Sequence, residues 1–289
     1  MTTILGVAGC ALTQTSLVIE GLNVVSIGFE KDSPLAIVVG YRTAPNSDRN
    51  IHVVLVDSYT LKLVKSYSLP ITIAWDSSPK VSPDGKYFVV RPSDRSNLGV
   101  WRVEDGIKVV TLENAGYEGV RWSGSNEVIV GNTVYRMTDG KPVGRVETLI
   151  QESYSPGDRP TLSKNQKIEV RISKGTSASS YSTVVQLSDP GSKVAKHNIT
   201  LTEDPATVHL HFAPDDSLIA VGAYSFSDKG LGGYSSVAVV DTRSGEIVKR
   251  LVESTHCHFN TWHPDSTRIF VTCGVYEKGG TQIRVIPAR

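Results

Sequence analysis

The sequence contains a repeated pattern: an apolar residue, a turn that is usually Pro-Asp, and then a run of β-branched or aromatic residues. The six copies begin at Phe29, Val81, Trp122, Leu162, Phe212 and Trp262. Successive copies are therefore 52, 41, 40, 50 and 50 residues apart. A repeat of this length indicates that one supersecondary unit is used several times along the chain.

A second landmark follows each of the first five copies. An apolar run ends, a tight turn follows, and a valine comes three residues after the turn residue. The runs end at Asp57, Arg102, Arg136, Gln186 and Asp241, the turn residues are Leu61, Gly106, Gly140, Gly191 and Gly245, and the valines are Val64, Val109, Val143, Val194 and Val248. Strand-like runs on both sides of a turn are typical of a hairpin. We therefore predict four short antiparallel strands in each unit and almost no helix, because no segment keeps a helical apolar period.

The two ends of the chain together make one unit. Trp262 is followed by 27 residues, which supply too few strands, and Phe29 is preceded by 28 residues with apolar runs at Ile4–Ala8 and Ser16–Ile19. We therefore predict that an N-terminal strand completes the C-terminal unit, which closes the ring and removes exposed sheet edges. This closure also predicts that Cys10, Cys257 and Cys273 share one unit.

At these residues the chain resembles the WD40-like and YVTN-type β-propeller repeat families over nearly its whole length. The segments Val240–Glu246 and Ile269–Thr272 look like the YVTN version, and Trp101-Arg102 lies where a WD40 repeat has Trp-Asp. The predicted fold is an all-β, closed β-propeller of four-stranded antiparallel blades, with six blades and seven as the alternative. Residues 1–289 are predicted to form a single domain.

Composition excludes several classes of protein. Thirty Lys and Arg residues against 29 Asp and Glu residues give a formal net charge of +1, which does not favour a general binder of nucleic acid or anionic membranes. No apolar run approaches the ~20 residues of a membrane span. The sparse, odd count of three cysteines argues against a disulfide scaffold and favours a reducing compartment, so we expect a cytoplasmic protein. Val7–Cys10 resembles a lipobox, but no Lys or Arg precedes it, and we expect a strand there.

Residues that could carry chemistry have simpler interpretations. Five histidines could suggest a metal site: His209 and His211 form one pair, His256 and His258 form a second, and the fifth is His263. However, alignment of the repeats places the two pairs at different heights in their units, and no carboxylate or thiol completes a zinc site. The repeated Asp84, Asp215 and Asp265 fit tight turns, because Asp bonds its own backbone there. The fourth unit is basic, with seven cations and four anions over residues 151–202, which suggests a solvated face. We expect no metal, no cofactor and no catalytic residues.

Long connections between the second and third strands of the units open on one face of the predicted ring. Arg and aromatic residues, which are typical of interaction surfaces, are common in them. The predicted binding residues are Tyr41, Arg42, Arg91, Arg95, Tyr181, Tyr224, Phe226, Lys229 and Tyr276. The favoured function is a non-catalytic scaffold that binds a protein or peptide through this face. The alternatives are a hydrolase or lactonase, which the YVTN resemblance implies, and a carbohydrate-binding propeller that stacks sugars on Tyr41, Tyr224 and Tyr276.

Overall fold

The structure is a computed structural model, and every regular element in the residues it describes is a β-strand. The described residues are 16–43, 49–73, 79–94, 97–113, 115, 120–146, 153–154, 161–163, 167–174, 183–201, 207–224, 235–253, 257–274 and 280–289. No helix in these ranges is long and apolar enough to cross a membrane.

The strands form six antiparallel sheets. The first strand along the chain is β1 (Ser16–Glu20), which belongs to the last sheet. The first sheet contains β2 (Asn23–Phe29), β3 (Leu35–Thr43), β4 (Arg49–Asp57) and β5 (Leu63–Thr72). The second contains β6 (Lys80–Val81), β7 (Tyr87–Val90), β8 (Gly99–Arg102) and β9 (Lys108–Thr111). The third contains β10 (Arg121–Trp122), β11 (Glu127–Val130), β12 (Thr133–Arg136) and β13 (Pro142–Arg145).

The second half of the chain repeats this order with one addition. After the short β14 (Ser153–Tyr154), the fourth sheet contains β15 (Thr161–Leu162), β16 (Glu169–Lys174), β17 (Thr183–Ser188) and β18 (His197–Leu201). The fifth contains β19 (Thr207–Phe212), β20 (Leu218–Tyr224), β21 (Ser235–Asp241) and β22 (Ile247–Glu253). The sixth contains β23 (Cys257–Trp262), β24 (Arg268–Gly274) and β25 (Gly280–Pro287), with β1 as its fourth strand.

The predicted repeat is confirmed at the level of single residues. All six anchor residues are the last residues of the first strands of their sheets. The turns that follow contain a residue in the left-handed region at Asp32, Gly85, Gly124, Asp216 and Ser266, each with φ between 60° and 73°. The Pro-Asp carboxylates close these turns, because Asp84, Asp215 and Asp265 each accept a hydrogen bond from the amide two residues later.

The N-terminal strand completes the last sheet, as predicted. β1 pairs with β25 in an antiparallel ladder that runs from Ser16 opposite Arg284 to Glu20 opposite Gly280. The amide of Val24 also donates to the Thr281 hydroxyl at 3.1 Å, so the chain stays bonded to this sheet as it enters the first one. The two ends of the chain are therefore held together in a single sheet.

Buried apolar clusters join successive sheets face to face. Such clusters lie between the sixth and first sheets, the first and second, the second and third, the fourth and fifth, and the fifth and sixth. Phe29 and Phe270, for example, meet across the first of these with ring centroids 5.2 Å apart. Six consecutive antiparallel sheets, each with four main strands and with the last completed by the first strand of the described chain, form a β-propeller. Sheets are called blades from here on.

Three features differ from the sequence-based expectation. β14 pairs with β19, which gives the fifth blade a short fifth strand on its inner edge. In the fourth blade, β17 continues past Gln186 to Ser188, and Val194 lies in the turn before β18 rather than in the outer strand. This turn is wider because Pro190 has no amide to extend the ladder and Lys196 bonds Asp189 at 2.6 Å.

The third difference is a disulfide that the cysteine count did not predict. Cys257 and Cys273 are opposite each other on β23 and β24, with Cα atoms 4.0 Å apart, and their sulfurs are bonded. They share the sixth blade, as the closure of the ring predicted, whereas Cys10 lies outside the described residues. Both side chains are buried and contribute to the cluster between the fifth and sixth blades.

Candidate functional site

Two of the predicted binding residues, Tyr41 and Arg42, lie in a strand rather than in a loop. β3 and β4 pair continuously from Leu35 opposite Asp57 to Thr43 opposite Arg49. Because successive residues of a strand point to opposite faces, Tyr41 points toward the second blade and Arg42 points away from it. The two side chains therefore belong to different faces of the first blade.

Tyr41 forms a cation–aromatic pair at the loop-bearing edge of the first blade. The Arg49 guanidinium lies 4.6 Å from the centroid of the Tyr41 ring. The ring packs against the buried cluster between the first and second blades, and this contact holds the ring in place. Such a pair presents a flat, charged surface at the start of the connection to β4.

Arg42 is exposed and influences a histidine on its own face. Burial, followed by the positive charge of Arg42, lowers the pKa of His52, which keeps this imidazole neutral near neutral pH. Ser68 Oγ lies 3.1 Å from His52 Nδ1, which ties β4 to β5 at this edge. Arg42 therefore adds a permanent positive charge on this side.

The other predicted residues are only partly covered by the structure. Arg91 directly follows β7 and is half-buried at the corresponding edge of the second blade. The backbone of Tyr224 ends β20, and its side chain is outside the described part. Arg95, Tyr181, Phe226, Lys229 and Tyr276 lie outside the described residues. The loop-face prediction therefore stays a prediction for these positions.

On the opposite face, turn carboxylates are engaged in their own turns. Asp57 accepts hydrogen bonds from the amides of Tyr59 and Thr60 and from the Thr60 hydroxyl. The bond from the Thr60 amide is the main cause that lowers the pKa of Asp57. Burial raises the pKa values of Asp215 and Asp265, but hydrogen bonds from the amide and hydroxyl of the residue two positions later, Ser217 or Thr267, contribute to an overall lowering of both. These acids serve the fold, as the sequence predicted for Asp215 and Asp265.

Sequence reasoning missed a serine–histidine–aspartate trio between the sixth and first blades. His263 Nε2 lies 3.1 Å from Ser58 Oγ, and His263 Nδ1 lies 2.8 Å from Asp265 Oδ1. This is the order of groups in a hydrolase triad. However, Ser58 has an exposed fraction of 0 % and His263 one of 5 %, so no substrate can reach the hydroxyl in this conformation. The trio therefore links two turns of neighbouring blades.

A groove of about 670 Å³ lies between turns of the fifth and sixth blades, and Asp265 of this trio is part of its lining. Asp215, Asp265, Arg268 and Arg289 supply its charges. Arg268 lies 4.2 Å from the Tyr59 ring centroid and 3.8 Å from Asp265, and Arg289 bonds Asp241 at 2.9 Å. The two arginines of the groove thus already have partners, inside the groove or next to it.

Within the described part of the chain, no group of three or more His, Cys, Asp or Glu side chains could hold a metal ion. The side chains of His209 and His258, and the whole of His256, are outside that part. The expectation that the two histidine pairs lie at different heights and form no metal site therefore stays a prediction.

Comparisons with known proteins give structural similarity only. No protein-family model matches the chain. No curated protein matches it either. A chain of hydrazine synthase from Kuenenia stuttgartiensis is 16% identical with a TM-score of 0.46, over 93% of this chain and 79% of that chain. A chain of a mitotic checkpoint complex is 16% identical with a TM-score of 0.44, over 100% of this chain and 90% of that chain. Hsv2 from Kluyvelomyces marxianus is 10% identical with a TM-score of 0.41, over 92% of this chain and 72% of that chain.

Proposed function

We propose that this chain is a non-catalytic β-propeller interaction module that binds a protein or peptide through its loop-bearing face. The observation that carries the proposal is the Arg49–Tyr41 pair, with the exposed Arg42 on the other face of the same strand. Arg and Tyr are the side chains most often responsible for binding energy in protein interfaces. Here the aromatic ring is held by the buried core of the blades, so little side-chain entropy is lost when a partner binds.

The two faces of the propeller differ in a way that supports this choice. Asp57, Asp215 and Asp265, on the face of the tight turns, are committed to turn hydrogen bonds. At the opposite edge, Arg42 is exposed to solvent. A partner with carboxylates, backbone carbonyls or aromatic rings would find its counterpart there.

The repeats fit the finer proposal of a WD40-like or YVTN-type propeller. Trp122 and Trp262 occupy the same anchor position, and each indole donates to a carbonyl of the preceding blade, Lys80 O at 2.9 Å and His211 O at 2.8 Å. A repeated tie of this kind is expected when each unit contacts its neighbour in the same way.

The proposed cytoplasmic location has a direct test in the cysteines. Cytosolic thiols are kept reduced, so this location predicts that Cys257 and Cys273 are free in the native source. A disulfide that persists after rapid alkylation and mass spectrometry would instead indicate an oxidising compartment.

The test of the binding function is affinity purification from the native source with two matched variants. Arg42→Glu with Arg49→Glu reverses two charges at the loop-bearing edge, and Lys62→Glu with Arg243→Glu reverses two on the face of the tight turns. The proposal expects partners that are lost with the first variant and kept with the second. Partners that are retained equally by both variants would contradict the assignment of this face.

A further inference from the structure

A crevice of about 430 Å³ lies between the first and second blades, toward the face of the tight turns. Ile37 and Val103 are buried at its base. Leu55 and the Tyr67 ring pack on the same buried cluster but are only half-buried beside the crevice. The Tyr67 hydroxyl donates to the Val103 carbonyl at 2.6 Å, which ties the two walls together. The crevice is therefore an uncovered part of the apolar core between two blades that are bonded to each other.

The corresponding positions of the fifth blade are covered. Leu35 and Leu218 are the first residues of β3 and β20. Leu55 and Val239 each lie two residues before the aspartate that ends the third strand of the blade. Leu218 and Val239 have exposed fractions of 1 % and 0 %, whereas the two leucines of the first blade are half-buried. The wall that the first blade presents to the crevice is therefore more exposed than the same wall of the fifth blade.

The outer strands of the first two blades also expose more apolar side chains than the outer strands of the other blades. Four such side chains have exposed fractions between 41 % and 55 %: Leu63 and Val64 on β5, Val109 on β9, and Ile107 directly before β9. Among the described residues, the outer strands of the other four blades and the turns before them contribute one large exposed apolar residue each. Exposed apolar surface that is concentrated in this way is typical of a protein–protein contact.

The rim of the crevice carries charges of both signs. Two cations and two anions of the lining are exposed, and they are Lys65, Lys86, Glu30 and Glu104. None of these four has an ion pair within the described part of the chain, although the Lys65 ammonium lies 4.9 Å from the centroid of the Tyr67 ring. Arg102, the fifth charged residue of the lining, is already paired with Asp105 at 3.3 Å. The rim therefore has as many anions as cations that are free to pair with another molecule.

We infer that this crevice and the exposed apolar residues beside it form the contact through which two copies of the chain make a twofold dimer. A twofold contact brings the same surface of both copies together, so that surface must be complementary to itself. The rim meets this requirement, because the two lysines of one copy pair with the two glutamates of the other. The exposed Leu63 and Ile107 supply apolar surface that covers the crevice of the other copy and removes it from water.

A second copy fits the rim better than a partner with charges of one sign. An acidic segment would pair with the two lysines but would be repelled by Glu30 and Glu104, and a basic segment would meet the reverse arrangement. A second copy supplies both signs in equal number. This inference goes beyond the proposed interaction function, because the contact lies toward the tight turns and leaves the loop-bearing face free. Each dimer then presents two loop-bearing faces to a partner.

The test is sedimentation equilibrium of the full chain over a range of concentrations. We expect a mass that rises from 31.3 kDa toward twice that value at concentrations up to about 100 μM. One variant, Lys65→Glu with Lys86→Glu, makes all four rim positions acidic, and a second, Glu30→Lys with Glu104→Lys, makes them all basic. Each is expected to weaken the dimer at least about tenfold, because like charges then face each other.

A mixture of the two rim variants separates loss of the contact from loss of folding. An equimolar mixture brings an acidic rim against a basic rim, so dimers should form again, whereas misfolded variants would not recover on mixing. Leu63→Ser with Ile107→Ser removes exposed apolar surface and is expected to weaken the dimer several-fold. Both side chains are more than half exposed, with fractions of 53 % and 55 %, so these substitutions should leave the fold intact.

The matched control is Lys193→Glu with Arg243→Glu, which makes the same change in net charge as the acidic rim variant at exposed positions of the fourth and fifth blades. It is expected to change the affinity of the dimer less than about twofold. Weakening equal to that of the acidic rim variant would mean that net charge, rather than this rim, controls association. A mass of 31.3 kDa at every concentration, or a mixture of rim variants that stays monomeric, would also overturn the inference.

The dimer and the proposed binding function can fail separately. Arg42→Glu with Arg49→Glu is expected to lose partners but to keep the dimer, because both residues lie at the loop-bearing edge. If this variant dissociates the dimer and the rim variants do not, the two copies meet through the loop-bearing face and the crevice is not the contact. If the rim variants alone dissociate the dimer and no partner depends on Arg42 or Arg49, the dimer stands without the loop-face proposal.

Discussion

His263 Nε2 lies 3.1 Å from Ser58 Oγ, which joins the first turn of the last blade to the last turn of the first blade across 205 residues of sequence. The imidazole also meets Phe29 and Tyr59 with ring centroids 5.1 and 5.0 Å away. This hydrogen bond thus joins the first and last blades in an aromatic environment. In such an environment, leaving either polar partner unpaired would be costly.

His263→Ala is expected to lower the free energy of unfolding by about 2–4 kcal/mol, because it leaves a cavity and an unpaired buried hydroxyl. Ser58→Ala is expected to cost about 1–2 kcal/mol, and the double variant less than the sum. Urea denaturation measures all three, with Ser66→Ala on exposed β5 as the control. Additive costs would mean that the two side chains do not interact.

Gly140 and Gly191 have the same left-handed backbone conformation but different surroundings. Substitution of each by alanine therefore distinguishes the cost of backbone strain from the cost of a steric clash. Gly191→Ala is expected to cost about 1 kcal/mol, since only the left-handed conformation opposes it. Gly140→Ala is expected to cost at least about 2 kcal/mol more, because its Cβ would lie 2.0 Å from the Thr111 carbonyl oxygen. Thermal and urea unfolding of both variants provide the comparison. Equal costs would mean that the close approach of Thr111 adds nothing to the backbone strain.

Leu61 holds a turn position that is glycine in other blades, with φ +55° and no exposed surface. Leu61→Gly relieves about 1 kcal/mol of backbone strain but removes a side chain whose burial contributes about 2–5 kcal/mol. We therefore expect net destabilisation, and a larger loss for Leu61→Ala, which keeps the strain. Stabilisation by Leu61→Gly would show that the leucine is not a core residue.

Tyr67, which bonds the first blade to the second, should make the stability of the protein depend on pH. Its hydroxyl donates to the Val103 carbonyl at 2.6 Å, and burial, then Glu104 and Asp105, raise its pKa to about 12. A tyrosine whose pKa is raised in the folded state stabilises the protein below the unfolded value of 10.0, and this contribution is lost as the pH rises toward about 12. The stability difference between wild type and Tyr67→Phe should therefore shrink over that interval in urea titrations. A constant difference would contradict the assignment.

Reduction of the disulfide is expected to destabilise the sixth blade. Cys257 and Cys273 close a loop with a sequence separation of 16, for which the lost chain entropy corresponds to about 3 kcal/mol. Calorimetry with and without reductant measures the change in melting temperature, and Cys257→Ser with Cys273→Ser should reproduce it. A melting temperature that does not respond to reductant would mean that the bond contributes nothing to stability.

The repeat made the fold predictable, since each anchor such as Phe212 or Trp262 ends a first strand and each Pro-Asp turn follows it. Closure by Ser16–Glu20 was also predictable from the missing strand. The Ser58–His263 bond was not, because it joins two turns whose meeting depends on the completed ring.

The most direct test of the account is hydrogen–deuterium exchange, measured by mass spectrometry. Strands beside the buried clusters, such as β20 and β24, should be the most protected. β1 should be protected together with β25, because the two strands pair along the whole of β1 in the last blade. Rapid exchange of β1 beside a protected β25 would contradict the closure of the ring by this strand.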